Sequence, residues 1–373
     1  MTSERQVQQA GENSQQIQAQ NLTINSGISE KRVREICKEA FAVARKGLTE
    51  EAYNLADQRV KRFEDNLIPK MEKIDGAMNA FADPDFQFLL TNAHRTAAAT
   101  DRETDYMLLS ELLLKRIQDG HNRNVRTGIR RAVEIVDDIS DEALLGLTVL
   151  FAIEFCSPTT GNITEGLSSL NILFGKICYA SLPIGVDWLD QLDVLNAVRI
   201  STISSLKKYE EFSSEIMDGY CVVGIKKDSD DYIKAVNMLK ENSLPLSLLC
   251  NHEINNGYVR ISILNENGID NCIITTKDSS GGTTNKNLTK AQKAALHDIY
   301  LMYEKNEKLS QTVKSNFCSE LEKYQYIKIV KDWWNNIDFG FQITGVGKVL
   351  ARANIQRFCE DDNCFINRIT GMD

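Results

Sequence analysis

No stretch of the sequence reaches eighteen consecutive apolar residues, and the opening MTSERQVQQAGENSQQ is polar. Neither a membrane span nor a secretory signal is therefore expected, and the reading is of a cytoplasmic protein. An excess of positive charge is missing too. The 43 Lys and Arg residues face 52 Asp and Glu, a formal charge of -9 that opposes general attraction to nucleic acid or to an anionic membrane and confines any such contact to local patches. The signatures of common chemistries are also absent. There is no Gly-x-x-x-x-Gly-Lys-Ser or Gly-x-Gly-x-x-Gly, and the SSGGTT stretch at 279–284 lacks the lysine and the strand-to-helix setting that phosphate binding needs. No Gly-x-Ser-x-Gly elbow occurs, and Cys250 and His252 stand too close in sequence to work as nucleophile and base on one strand face.

Histidine is scarce: His94, His121, His252 and His297 fall in separate segments and none is set at metal-ligand spacing. The nine cysteines are an odd number, mostly inside apolar stretches such as FAIEFC and GKICYA, which favours free buried thiols over a disulfide framework. Cys359 and Cys364 form the one close pair, and no histidine follows His297 to complete a zinc set. Neither metal nor cofactor is expected. What is present is ordinary globular material, 42% hydrophobic and 25% charged, which excludes global disorder. At 373 residues the chain is too long for a single compact core.

The expected fold class is mainly α: a helical bundle with a short N-terminal β oligomerisation segment, a small β-rich insertion and a winged-helix-like C-terminal domain. Residues 1–27 are rich in Gln, Asn, Ser and Thr, and QQIQAQNLTIN has a mixed extended pattern of strand type. One such strand is unstable alone. Its simplest partners are copies of itself, because Gln and Asn amides stack when identical strands align, so Gln16, Ile17, Gln18, Asn21 and Ile24 are the candidate assembly residues. At 28–75 the period turns helical, and a long helix or stalk bent near Gly47 would span roughly 60 Å. Residues 76–215 carry repeated helix starts, at Asp83-Pro84, Thr104 and Ser140, separated by short polar breaks as in a bundle, with Leu144 to Phe155 as its central helix.

Residues 216–288 hold β-branched runs and Asn-Gly pairs, ending in a Gly-, Ser- and Thr-rich linker. Over 289–373 the order helix, helix, strand YIKIVKDW, strand FQIT and helix, with Thr344 as a cap, is that of a winged-helix module. Two basic groups are candidates for contact with an anionic partner. Arg123, Arg126 and Arg130 lie near one helical face, and Lys328 and Lys331 lie beside Trp333 and Trp334; the plainer readings are a solvated surface and domain packing. His94 and Arg95, with Asp101 and Glu103 nearby, could make an acid–base cluster, although mixed charge is common on helix surfaces.

The segments FADPDFQFLLTNAHRTAAATD and VRTGIRRAVEIVDDISDEALLGLTVLF, with the ending FQITGVGKVL, are similar to the bacterial abortive-infection alpha family and its uncharacterised relatives, small helical proteins associated with phage resistance. QQIQAQN resembles the core of amyloid-signalling motifs, with Ala19 where a glycine is expected, and related segments form trimeric β-prisms on helical stalks. These resemblances imply a cytosolic anti-phage defence protein: a self-assembling sensor or effector scaffold whose partners are itself and a phage or host protein. The alternative is a winged-helix DNA-binding regulator, with nucleic acid possible as a partner but not favoured. A third reading, an enzyme built around Arg95 and Asp101, requires both to line one pocket.

Overall fold

A computed structural model describes residues 29–44, 49–119, 122–201, 203–277, 283–359 and 369–370. The expected assembly segment with Gln16, Ile17, Gln18, Asn21 and Ile24 lies outside the described residues, as do His121 and Cys364. The chain is mainly helical, as expected, with a few small strands.

Helix α1 (Glu30–Ala44) and helix α2 (Glu50–Glu72), the latter capped by the Thr49 hydroxyl, do not continue into an extended stalk. Cys37 on α1 and Glu64 on α2 have ligand atoms within 4.8 Å of each other. Twenty-seven residues of continuous helix would separate them by about 40 Å. The chain instead folds back, burying Val33, Ile36, Cys37 and Phe41 of α1 in the main core and stacking Phe41 on Tyr53. An apolar stripe of that width is stable only when covered, and the bundle covers it.

Both helices pack on α3 (Pro84–Ala99), which begins at the Asp83 cap with proline in its first turn. Helices α4 (Glu103–Gln118), α5 (Arg123–Glu134, capped by Asn122) and α6 (Asp141–Phe155, capped by Ser140) follow. Every residue of α6 from Ala143 to Ile153 is buried, so it is the central helix its composition suggests. Strand β1 (Ser157–Pro158) leads into α7 (Ile163–Ile177) and α8 (Asp187–Val194), and then β2 (Val198–Ser201).

Helices α9 (Tyr209–Ile216) and α10 (Asp218–Cys221) add Tyr209, Tyr220 and Cys221 to the main core, and a smaller unit with its own core follows: β3 (Ile225–Lys226), α11 (Asp230–Glu241), β4 (Leu249–Asn251), β5 (Tyr258–Ile261), β6 (Ile273–Lys277) and β7 (Thr283–Asn287). Strands β3, β5 and β4 form an antiparallel sheet with β5 central, and α11 and α12 (Lys290–Leu301) cover it around Leu239, Ile261, Leu296 and Ile299. The stretch expected to be a linker contains β7, which pairs with β6 from Ile273↔Asn287 to Lys277↔Thr283. Its β-branched threonines suit an extended ladder as well as a loop.

The C-terminal part departs from the expected winged helix. After α13 (Glu307–Leu321), the segment read as strand YIKIVKDW is helix α14 (Gln325–Trp334). Ile327, Val330 and Trp334 recur at helical spacing and are buried, whereas Ile329, which a strand would place on the same side as Ile327, is 43% exposed. The expected hairpin therefore does not form from these segments. Strand β8 (Gly340–Ile343) pairs antiparallel with β2, from Val198↔Ile343 to Ser201↔Gly340. The last helix, α15 (Gly345–Cys359), packs among α4, α5 and α6, and β9 (Ile369–Thr370) pairs with β1. Close approach at α15 rests on small residues: a Cβ on Gly347 would stand 2.1 Å from the Ala197 carbonyl oxygen.

Candidate functional site

Helix α15 starts at Thr344, whose Oγ1 accepts the Gly347 N–H at 3.2 Å and donates to the backbone carbonyls of residues 196 and 197. That cap fixes the face the helix turns to the bundle. Lys348 and Arg352, one turn apart, stand opposite Phe151 and Phe155, one turn apart on α6. The Lys348 Nζ lies 4.2 Å from the Phe155 ring centroid, the Arg352 Cζ lies 5.9 Å from that of Phe151, and the two rings are 5.1 Å apart. Cations over ring faces are attracted by the ring quadrupole. Between these pairs and the start of α5 opens a cavity of about 380 Å³, also lined by Lys115, Asn124 and Gly345.

The electrostatics of the cavity are mixed. Lys115 is paired with Asp119 at 2.8 Å. Glu154 stands near enough to Lys348 to feel its charge, yet burial wins and pushes its carboxyl up to about 7. Asn122 caps α5 by accepting from the N–H groups of Asn124 and Val125, and the positive end of that helix dipole faces the cavity mouth at Asn124. Lys348 and Arg352 lie over the ring faces of Phe155 and Phe151, and Phe151 is buried, so the cavity presents cationic groups on an apolar wall, which suits an anion that carries an apolar body.

The basic residues singled out from sequence are dispersed. Arg123 is exposed and Arg126 half-buried, on the first two turns of α5 beside the cavity's Asn124. Arg130 is held 2.7 Å from Asp85, which Arg116 also binds at 2.8 Å; that hydrogen bond from Arg116 is the main reason the Asp85 carboxyl is held below its usual range. Lys331 does not fit the anion-contact role expected of it. Its side chain is only 12% exposed and its ammonium sits among Glu322, Glu210 and Asp332; the hydrogen bond it donates to Glu322 leads in raising its pKa. Lys328 is exposed with Glu322 at 3.8 Å. Trp333 and Trp334 take the packing role: both are buried and donate to the carbonyls of Pro183 and Lys207.

Arg95 is exposed in a groove of about 600 Å³ lined also by Asp85, Phe88 and Arg130, and Asp101 is not among the groove's lining residues. That groove therefore does not bring Arg95 and Asp101 together. Cys250 and His252 face different partners, the Arg260 carbonyl at 3.5 Å and the Val222 carbonyl at 2.7 Å, and burial pushes His252 down to about 4. His94 lies in the interior rather than in an acid–base cluster with Arg95. It is fully buried on α3 with Nε2 3.1 Å from Glu64 Oε1, Phe41 and Phe63 edge-on to its ring, and the Cys37 thiol close by; burial raises the thiol pKa.

The fold and cavity define a mainly helical bundle protein with a basic, aromatic-lined cleft, and no helix among the described residues is long and apolar enough to cross a membrane. The chain belongs to an uncharacterised family, whose model matches residues 27–366. No curated protein and no solved structure matches the chain.

Proposed function

We propose that this chain is a ligand-binding scaffold of bacterial phage defence, in which the cleft between α6 and α15 takes an anionic ligand with an apolar body, such as a nucleotide. The observation that carries the binding claim is the facing pair of ladders, Lys348 and Arg352 over Phe155 and Phe151. Charge-assisted contacts to phosphate, with the apolar body against the cavity's apolar wall, are the interactions these groups offer. The defence setting rests on the likeness of the helical segments to the abortive-infection alpha family. Assembly through residues 1–27, with the protein acting in the cytoplasm, belongs to the same reading. Geometry does not favour the DNA-binding alternative, because α14 stands where the wing's first strand was expected and Lys331 lies among carboxylates.

Isothermal titration of the full chain with ATP, GTP and inorganic phosphate tests the cleft. A nucleotide is expected to bind, and Lys348→Glu is expected to weaken it at least about tenfold, the loss of one charge-assisted contact. No binding by any of these probes, or equal binding by Lys348→Glu, would overturn the reading. Light scattering tests assembly independently: a discrete oligomer is expected for the full chain and a monomer for one lacking residues 1–26, and a monomeric full chain at micromolar concentration would contradict it.

A further inference from the structure

Cys37, Glu64 and His94 come from three helices that the sequence separates widely, yet the thiol sulfur, one carboxylate oxygen and one imidazole nitrogen lie within 4.8 Å of one another. We propose that these three side chains form a binding site for a thiophilic divalent cation of the zinc class, which clamps α1 onto α2 and α3.

The donor set fits such an ion. Sulfur and imidazole nitrogen select zinc-like metals over calcium and magnesium, which prefer oxygen throughout. Tetrahedral zinc, with bonds of about 2.0–2.3 Å, holds its ligands roughly 3.3–3.6 Å apart. The 3.1 Å between His94 Nε2 and Glu64 Oε1 already matches this, and the sulfur needs only a small approach. Charge also balances, since a thiolate and a carboxylate neutralise a divalent ion and so bring no net charge to the apolar surroundings of Phe41 and Phe63.

The contact of Nε2 with Glu64 holds the fully buried His94 ring with that nitrogen toward the carboxylate. A neutral imidazole has one bare nitrogen, so an ion taken up at Nε2 fixes the ring proton on Nδ1. Glu64, whose side chain is 18% exposed, gives the cluster an opening toward solvent through which an ion can enter and a water can complete the tetrahedron.

The test is a titration of the metal-free full chain with cobalt(II), followed by displacement with zinc. One equivalent is expected to produce a sulfur-to-cobalt charge-transfer band with the intense visible absorption of tetrahedral cobalt. Cys37→Ser is expected to abolish the charge-transfer band, and Glu64→Gln to keep it while weakening affinity by about 10–100-fold. Absence of stoichiometric binding overturns the proposal, as does persistence of the band in Cys37→Ser, which would assign it to another cysteine. If Cys37→Ser fails to fold by circular dichroism, Glu64→Gln decides, because unchanged affinity in that variant also overturns it.

Discussion

Arg260 offers the sharpest prediction about how the two cores are joined. Its side chain is fully buried, donates to the carbonyls of Gly161, Gly219, Ile261 and Ile263, pairs with Glu253 at 3.0 Å and lies 5.4 Å from the Tyr220 ring centroid. Gly161 precedes α7 in the bundle and Gly219 lies in α10, while Arg260 itself sits on the central strand of the small sheet. One guanidinium thus couples the smaller core to the larger. Arg260→Met keeps the length of the side chain and removes every donor. Removing one partner of a buried ion pair costs about 3–5 kcal/mol. The Glu253 side chain is 23% exposed and can rehydrate, which places the cost near the lower end, about 3 kcal/mol.

At a denaturant slope of about 3 kcal/mol per molar urea, that is a midpoint shift of about 1 M, and more if the smaller unit unfolds alone with a shallower slope. The assay has a built-in internal reference. All three tryptophans, Trp188, Trp333 and Trp334, belong to the larger core, so fluorescence reports the bundle whereas far-ultraviolet circular dichroism reports both units. In Arg260→Met the circular dichroism transition is expected to begin at lower urea than the fluorescence transition, with a wider gap than in the unmodified chain. Adding Glu253→Gln should recover part of the loss by removing the stranded carboxylate. Superimposable curves for Arg260→Met and the unmodified chain would refute the argument.

Two further predictions concern the cleft. The Glu154 carboxyl is raised from 4.5 to about 7 by burial, so its protonated form favours the folded state; this contribution is fully present below pH 4.5 and is lost as pH rises through about 7. Glu154→Gln should therefore be more stable than the unmodified chain at pH 8, with the difference vanishing at acidic pH in denaturation curves; an equal difference at both ends would contradict this. Thr344→Val keeps the shape of the cap but removes its bonds to Gly347 and to the carbonyls of residues 196 and 197, and should cost about 1–2 kcal/mol by urea denaturation. An unchanged midpoint would show that packing alone sets the start of α15.

Helix starts were the most legible feature of the sequence. Asp83, Ser140 and Thr344 each accept a backbone N–H, as a short oxygen-bearing side chain before an apolar periodic run should, whereas Thr104 lies inside α4, which opens at Arg102 without a side-chain cap. Helix α14 was misread because Ile327 and Ile329 imitate strand alternation, while the deciding contacts of Val330 and Trp334 follow the helical period. The stalk reading failed because periodicity reports which face of a helix is apolar and is silent on whether the chain turns back to cover it. The cleft's own signals, the pairs Phe151 and Phe155, and Lys348 and Arg352, are visible at helical spacing. Nothing local indicates that the two meet, since about two hundred residues separate them. The same holds for Cys37, Glu64 and His94, which only the fold brings within ligand distance.

The most direct test of the proposed cleft is photocrosslinking of the full chain with an azido-nucleotide, followed by mass spectrometry of the modified peptides. Crosslinks are expected on α6 around Phe151 to Phe155 or on α15 around Lys348 to Arg352, competed by unmodified nucleotide and lost in Lys348→Glu. Crosslinks confined to other helices, or labelling that unmodified nucleotide does not compete, would contradict the assignment of the cleft as the ligand site.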